Sequence, residues 1–237
     1  IRHDGDKSVN PELLQKRCLA EFIGTFVIVF APVALGSTGK LSGGEPGLMA
    51  AAWASGLPVT AMIYALGPIC AAHFNPAVTL GFAVAGRFPR QAILPYWASQ
   101  FAGAIFAAGV CALLFGGGAG THSPSGSVFA AFGMEIIISF ILMLVIMAVA
   151  TDKRVSGTVP GLSIGLTVVL NVLLAGSVSG GSMNPARSLG PLLFAGGKNL
   201  SVYWVYFFAP IAGCLLAARL YEMLRLEADH AQNAPAN

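Results

Sequence analysis

Two short phrases carry most of the polar chemistry of an otherwise apolar chain. Asn75-Pro76-Ala77 and Asn184-Pro185-Ala186 stand 109 residues apart, inside longer matching runs that extend from His73 to Gly81 and from Ser182 to Gly190. A residue before proline is held to extended backbone, and proline is tolerated at the first helical position, so each Asn reads as a helix N-cap. Their side chains offer N–H groups to an oxygen atom held between them. Arg187, three residues after the second Asn, is an ionisable group in apolar surroundings, which marks it as a candidate functional residue. Glu21 and Glu135 also fall in apolar runs, where they could form a proton relay or act as buried acceptors. The second role is preferred: those runs hold no Lys and no third Asp or Glu, so the set that ion-coupled transport needs is missing.

Composition sets the elements that must position these residues. Of 237 residues, 56% are hydrophobic and only 10% charged, with 29 Gly, where a soluble domain carries about 25% charged residues. So few charges cannot coat a water-soluble surface, which sets aside soluble enzymes, nucleic-acid binders and disordered tails. The charge-free stretches 22–39, 46–86, 91–134, 136–151, 155–186 and 199–218 have membrane lengths, since one span takes about 20 apolar residues. Six spans are expected, near 18–36, 48–70, 93–115, 128–150, 159–177 and 202–224. With the N-terminus inside, Arg2, Lys7, Lys16, Arg17, Arg87, Arg90, Lys153, Arg154, Arg219 and Arg225 fall on the cytoplasmic side and only Lys40 and Lys198 outside. That asymmetry follows the positive-inside rule and puts both termini in the cytoplasm.

Other pairs share nearly the same offset as the two Asn residues. Gly56-Leu57 recurs as Gly165-Leu166, Ala102-Gly103 as Ala212-Gly213, and Glu21 with Thr25-Phe26 as Glu135 with Ser139-Phe140. The chain is therefore a tandem duplication, and three spans per half force the second copy to enter the membrane inverted. The apolar runs after each Asn are too short to span. They are expected to form half-helices near 75–85 and 184–194, with N-termini meeting at mid-membrane, where irregular backbone survives only if buried or lining a water-filled cavity. The fold class is an all-α membrane protein of six transmembrane helices plus two re-entrant half-helices in an inverted repeat. Its organisation is a cytoplasmic segment 1–17, a first repeat 18–115, a connecting loop 116–127, a second repeat 128–224 and a cytoplasmic tail 225–237.

From Cys18 to Leu224 the sequence resembles the aquaporin and aquaglyceroporin family, on the duplicated Asn-Pro-Ala phrases, Arg187 and the paired Glu21 and Glu135. The resemblance implies a passive channel, not an enzyme, in each subunit of a homotetramer embedded in a plasma or cytoplasmic membrane. Asn75, Pro76 and Ala77 with Asn184, Pro185 and Ala186 would form its centre, and Glu21 and Glu135 would accept hydrogen bonds from the loops. Two positive half-helix ends meeting there disfavour cations, and a water held by both Asn groups breaks a proton-conducting chain. The family's outer constriction falls by register on Ser55, Val172, Gly181 and Arg187. Strict water channels present an aromatic and a His at the first two positions, so Ser and Val leave more room. The phrase from Gly181 to Pro191 looks most like the nodulin-like branch, and Ser188 stands where glycerol facilitators carry Asp. The resemblance thus implies passage of water, glycerol-like polyols, urea and undissociated arsenous, boric or silicic acid, without protons or ions. A predominantly water-selective channel ranks second, and an ion-coupled secondary transporter a distant third.

No metal or cofactor is expected, because Cys18, Cys70, Cys111, Cys214 and the four His residues are scattered without ligand spacing. The charged segment 1–17 does not have the layout of a signal peptide. Tyr203, Trp204, Tyr206, Phe207 and Phe208 are expected to form an interfacial aromatic belt. Small residues at 102–108 and 212–218 suit close helix packing.

Overall fold

The computed structural model describes residues 10–44, 46–152, 155, 160–196 and 200–225. The expected sidedness of Arg2, Lys7, Lys153, Arg154 and Lys198 lies outside the described residues. Among the described residues eight α-helices follow in order: α1 (Pro11–Leu41), α2 (Leu48–Cys70), α3 (Pro76–Val84), α4 (Ile93–Phe115), α5 (Val128–Thr151), α6 (Pro160–Ala175), α7 (Pro185–Leu193) and α8 (Tyr203–Leu224). No strand occurs among the described residues.

α1 starts well before the apolar run that begins at Cys18. Asn10 caps it, its side-chain oxygen accepting from the backbone N–H groups of Glu12 and Leu13 at 3.0 and 3.3 Å, and Pro11 occupies the first turn. Among the described residues five helices are long and apolar enough to cross a membrane. The sixth span, α6, has 16 described residues, about 24 Å of helix. Leu113 and Phe129 are 85% and 87% exposed on the outer surface, an arrangement suited to lipid and unsuited to water.

The two halves pack by the same rule. α1 lies on α4 as α5 lies on α8, α2 meets α6 at the centre, and each of the short helices α3 and α7 rests chiefly on the last helix of the opposite half. Glycine makes these approaches possible. A Cβ at Gly103 would run into the Phe22 carbonyl of α1, and one at its counterpart Gly213 into the Ile136 carbonyl of α5. At the centre, a Cβ on Gly56 would strike the Gly165 carbonyl. These are the duplicated glycines of the sequence, and backbone-to-backbone contact is the reason for their repetition.

Candidate pore and its filter

α3 and α7 have nine residues each, about 14 Å of helix, half the thickness of a bilayer core. Both start at the expected prolines. Asn75 and Asn184 are their N-caps in extended conformation, with φ of −156° and −149°. Asn75 Oδ1 accepts from Ala77 N at 2.9 Å, and Asn184 Oδ1 accepts from Ala186 N at 3.0 Å and Arg187 N at 3.2 Å. The amide nitrogens reach across the pseudo-twofold axis: Asn75 Nδ2 donates to Met183 O at 2.8 Å and Asn184 Nδ2 to Phe74 O at 2.9 Å. One N–H of each amide is thereby used, and the other remains for the cavity that both residues line.

Left-handed backbone aims those carbonyls. Phe74 and Met183, each just before its Asn, have φ of 49° and 56°, a conformation that costs a side-chain-bearing residue about 1 to 2 kcal/mol. The two buried carboxylates hold it. Glu21 accepts from His73 N at 2.8 Å and Phe74 N at 2.6 Å, while Glu135 accepts from Ser182 N and Met183 N, both at 2.8 Å. Both side chains are fully buried. Gln100 donates a further bond to Glu21 at 2.8 Å, and Ser179 one to Glu135 at 2.7 Å. Each of these partners is a donor, so the pair is arranged as an acceptor framework and not as a relay.

A cavity of about 120 Å³ runs past both Asn residues, lined by Ser55, Gly181 and Arg187 of the expected constriction. Val172 does not line it. That residue is 5% exposed and packs behind Gly181, whose Cβ, if present, would lie 3.1 Å from Val172 Cα, while Val168, one turn earlier on α6, faces the cavity. Gly181 also has a φ of 70°, so a side chain there would be both crowded and strained. Arg187, half-buried, donates from Nη1 to the Gly120 carbonyl of the connecting loop at 2.7 Å.

Several residues of the site escaped the sequence reading. Tyr206 is fully buried and donates to Ser179 O at 2.7 Å, as Tyr96 donates to Cys70 O at 2.9 Å. Tyr203 donates to Pro185 O at 3.2 Å, as Trp97 does to Pro76 O at 3.1 Å. Tyr203 and Tyr206 therefore brace the second loop and are not belt residues; Trp204 and Phe208, both exposed, keep the outward position. The near-constant offset between these pairs was the available signal. His122 had none, because it lies in the connecting loop that the repeat omits. It is buried, lines the cavity, and its Nδ1 is 2.9 Å from Ser188 Oγ. Burial first, and then the Arg187 charge, hold its imidazole well below the ordinary value, which keeps it neutral.

Opposed half-helices inside an inverted repeat of membrane-spanning helices define a membrane channel of the aquaporin fold. Residues 8–221 match the family described as Major intrinsic protein, and the chain belongs to that family. It is 44% identical over 216 residues to Aquaporin NIP1-1 of Oryza sativa subsp. japonica, covering 89% of this chain and 74% of that relative. Against Aquaporin NIP1-2 of Arabidopsis thaliana the identity is 42% over 238 residues, covering 94% and 79%. The X-ray structure of the aquaglyceroporin from Plasmodium falciparum matches with a TM-score of 0.78 at 26% identity, covering 93% of this chain and all of that one. The protein is thus a multi-pass integral membrane channel for water and small solutes, and not an enzyme.

Proposed function

We propose that this channel passes water together with small uncharged solutes of the size of glycerol, urea and undissociated arsenous, boric or silicic acid, and excludes protons and ions. The observation that carries the reading is the composition of the filter. Ser55 and Gly181 line the cavity beside Arg187 with almost no side-chain bulk, and Val172 is withdrawn behind Gly181. Arg187 supplies donors and positive potential, and the N-termini of α3 and α7 add to that potential at the Asn pair. A neutral hydroxylated molecule meets donors and carbonyls there; a cation meets repulsion and loses its hydration. The structural relative from Plasmodium falciparum, an aquaglyceroporin, supports the wider permeant range.

The same reading includes a homotetramer with both termini cytoplasmic in a plasma or cytoplasmic membrane, supported by the cationic inner side and the family's organisation. Purified protein in liposomes tests the permeant range through swelling in glycerol, urea and arsenous acid gradients. Swelling above protein-free liposomes for these solutes is expected, without dependence on an ion gradient. Water flux alone would establish the water-selective alternative, and gradient dependence would establish coupled transport.

A further inference from the structure

The hydrogen-bond chain beside the second half-helix fixes which nitrogen of His122 carries the proton. Ser182 Oγ donates to the Asn184 carbonyl at 3.0 Å, and a carbonyl cannot return a proton, so the Ser182 hydroxyl hydrogen is committed there. The short Ser182–Ser188 contact must then be donated by Ser188. With its only hydrogen spent, Ser188 can do nothing but accept from His122, whose Nδ1 is therefore the protonated nitrogen. The neutral ring has a bare Nε2, and that atom has no hydrogen-bond partner among the described residues. Nor is it a sealed-in orphan, because the buried polar atoms without partners are Thr25 Oγ1, Gln100 Oε1, Ser139 Oγ and Asn171 Oδ1. The ring is positioned by Tyr206, at 5.6 Å between centroids, and by Gly180, where a Cβ would meet His122 Cδ2.

We propose that His122 is a specificity-determining residue of the filter, presenting Nε2 to the permeant as a hydrogen-bond acceptor beside the donors of Arg187. The inference rests on the neutral-solute reading above and deepens it. A permeant that donates one O–H while another of its oxygens accepts is matched by this pair; a solute without a donor is not. The connecting loop thereby supplies the wall that Val172 leaves vacant. The loop is fixed for this role by Arg187 on Gly120 O, Lys40 on Gly118 O at 3.0 Å and Ser125 N on Val178 O at 3.0 Å. The same donor accounting applies in the first half. Thr79 Oγ1 donates to Asn75 O at 3.1 Å, so His73 Nδ1, 3.1 Å from that hydroxyl, also donates and has the same tautomer.

Two readouts on protein in lipid bilayers test this. In [15N]histidine-labelled protein, the signals of His122 and His73, identified by their loss in His122→Gln and His73→Gln, are expected to report protonated Nδ1 and bare Nε2. Protonated Nε2 on His122 overturns the proposal. In flux measurements at equal inserted protein, His122→Phe keeps the ring but not its nitrogens, and glycerol flux is expected to fall about fivefold, the worth of one net hydrogen bond. His122→Gln, whose amide oxygen restores an acceptor, is expected to stay within about twofold of the parent. An unchanged glycerol flux in His122→Phe, or equal losses in Phe and Gln, contradicts an acceptor role and leaves a packing role only. If the parent protein excludes glycerol, the neutral-solute reading fails by itself; the tautomer, and a fall of water flux in His122→Phe but not in His122→Gln, then decide the inference separately.

Discussion

Glu21 and Glu135 show how a residue that looks reactive in the sequence becomes a structural acceptor in the fold. Each receives two consecutive loop N–H groups at 2.6 to 2.8 Å, and each thereby pays for the left-handed turn that sends a carbonyl to the opposite Asn. Replacing either by Ala leaves two buried N–H groups unpaired, at about 1 to 3 kcal/mol each. Thermal unfolding in detergent should show both variants well below the parent, with Glu135→Gln, which keeps one acceptor, in between; parental melting of the Ala variants would contradict the role. His122 gives a pH signature of known sign. Its folded-state value is lowered, so below the ordinary imidazole range of about 6.5 the unfolded chain binds more protons than the folded one. Stability is therefore flat above about pH 6.5 and declines as pH falls below it. The groups that face the ring are Arg187, Ser188 and Tyr206. His122→Gln should flatten the decline in melting temperature between pH 7 and 5 relative to the parent.

Much at the scale of elements was legible because membrane length and duplication are strong constraints. The half-helices appear at Pro76–Val84 and Pro185–Leu193, close to the expected 75–85 and 184–194, since Asn-Pro fixes their starts. The repeated glycines mapped onto helix crossings for the same reason: a contact made twice leaves its mark twice. Less legible was anything without a repeat partner. Val172 fell on the filter by register alone, whereas the rotation of α6 turns Val168 to the cavity and Val172 behind Gly181. The loop carrying His122 has neither periodicity nor a counterpart. The packing makes a direct prediction: Gly213→Leu must force α5 and α8 apart at the Ile136 carbonyl, at a cost of about 1 to 3 kcal/mol or more, measured as loss of folded protein on heating. For the filter, Ser55→Phe should lower the glycerol-to-water flux ratio sharply. Val172→His should change it less, because that side chain must first displace the Gly181 loop; a larger effect from Val172 would mean that α6 presents the other face.

For the whole molecule the proposed function requires that uncharged solutes move while charge does not. The formal net charge is only +3, and within the passage the positive influences are Arg187 and two opposed half-helix ends, with no carboxylate among the described residues lining the cavity to offset them. Glu21 and Glu135 stand behind the loops, sealed from the permeant. One measurement tests this most directly: liposomes containing the protein and a trapped pH dye are given an inward glycerol gradient with a clamped membrane potential and an imposed pH difference, and volume and internal pH are followed together. Rapid, protein-dependent volume recovery is expected as glycerol enters, with internal pH decaying no faster than in protein-free liposomes. Absence of glycerol entry, or collapse of the pH difference at a rate comparable with the volume change, would contradict the proposed function.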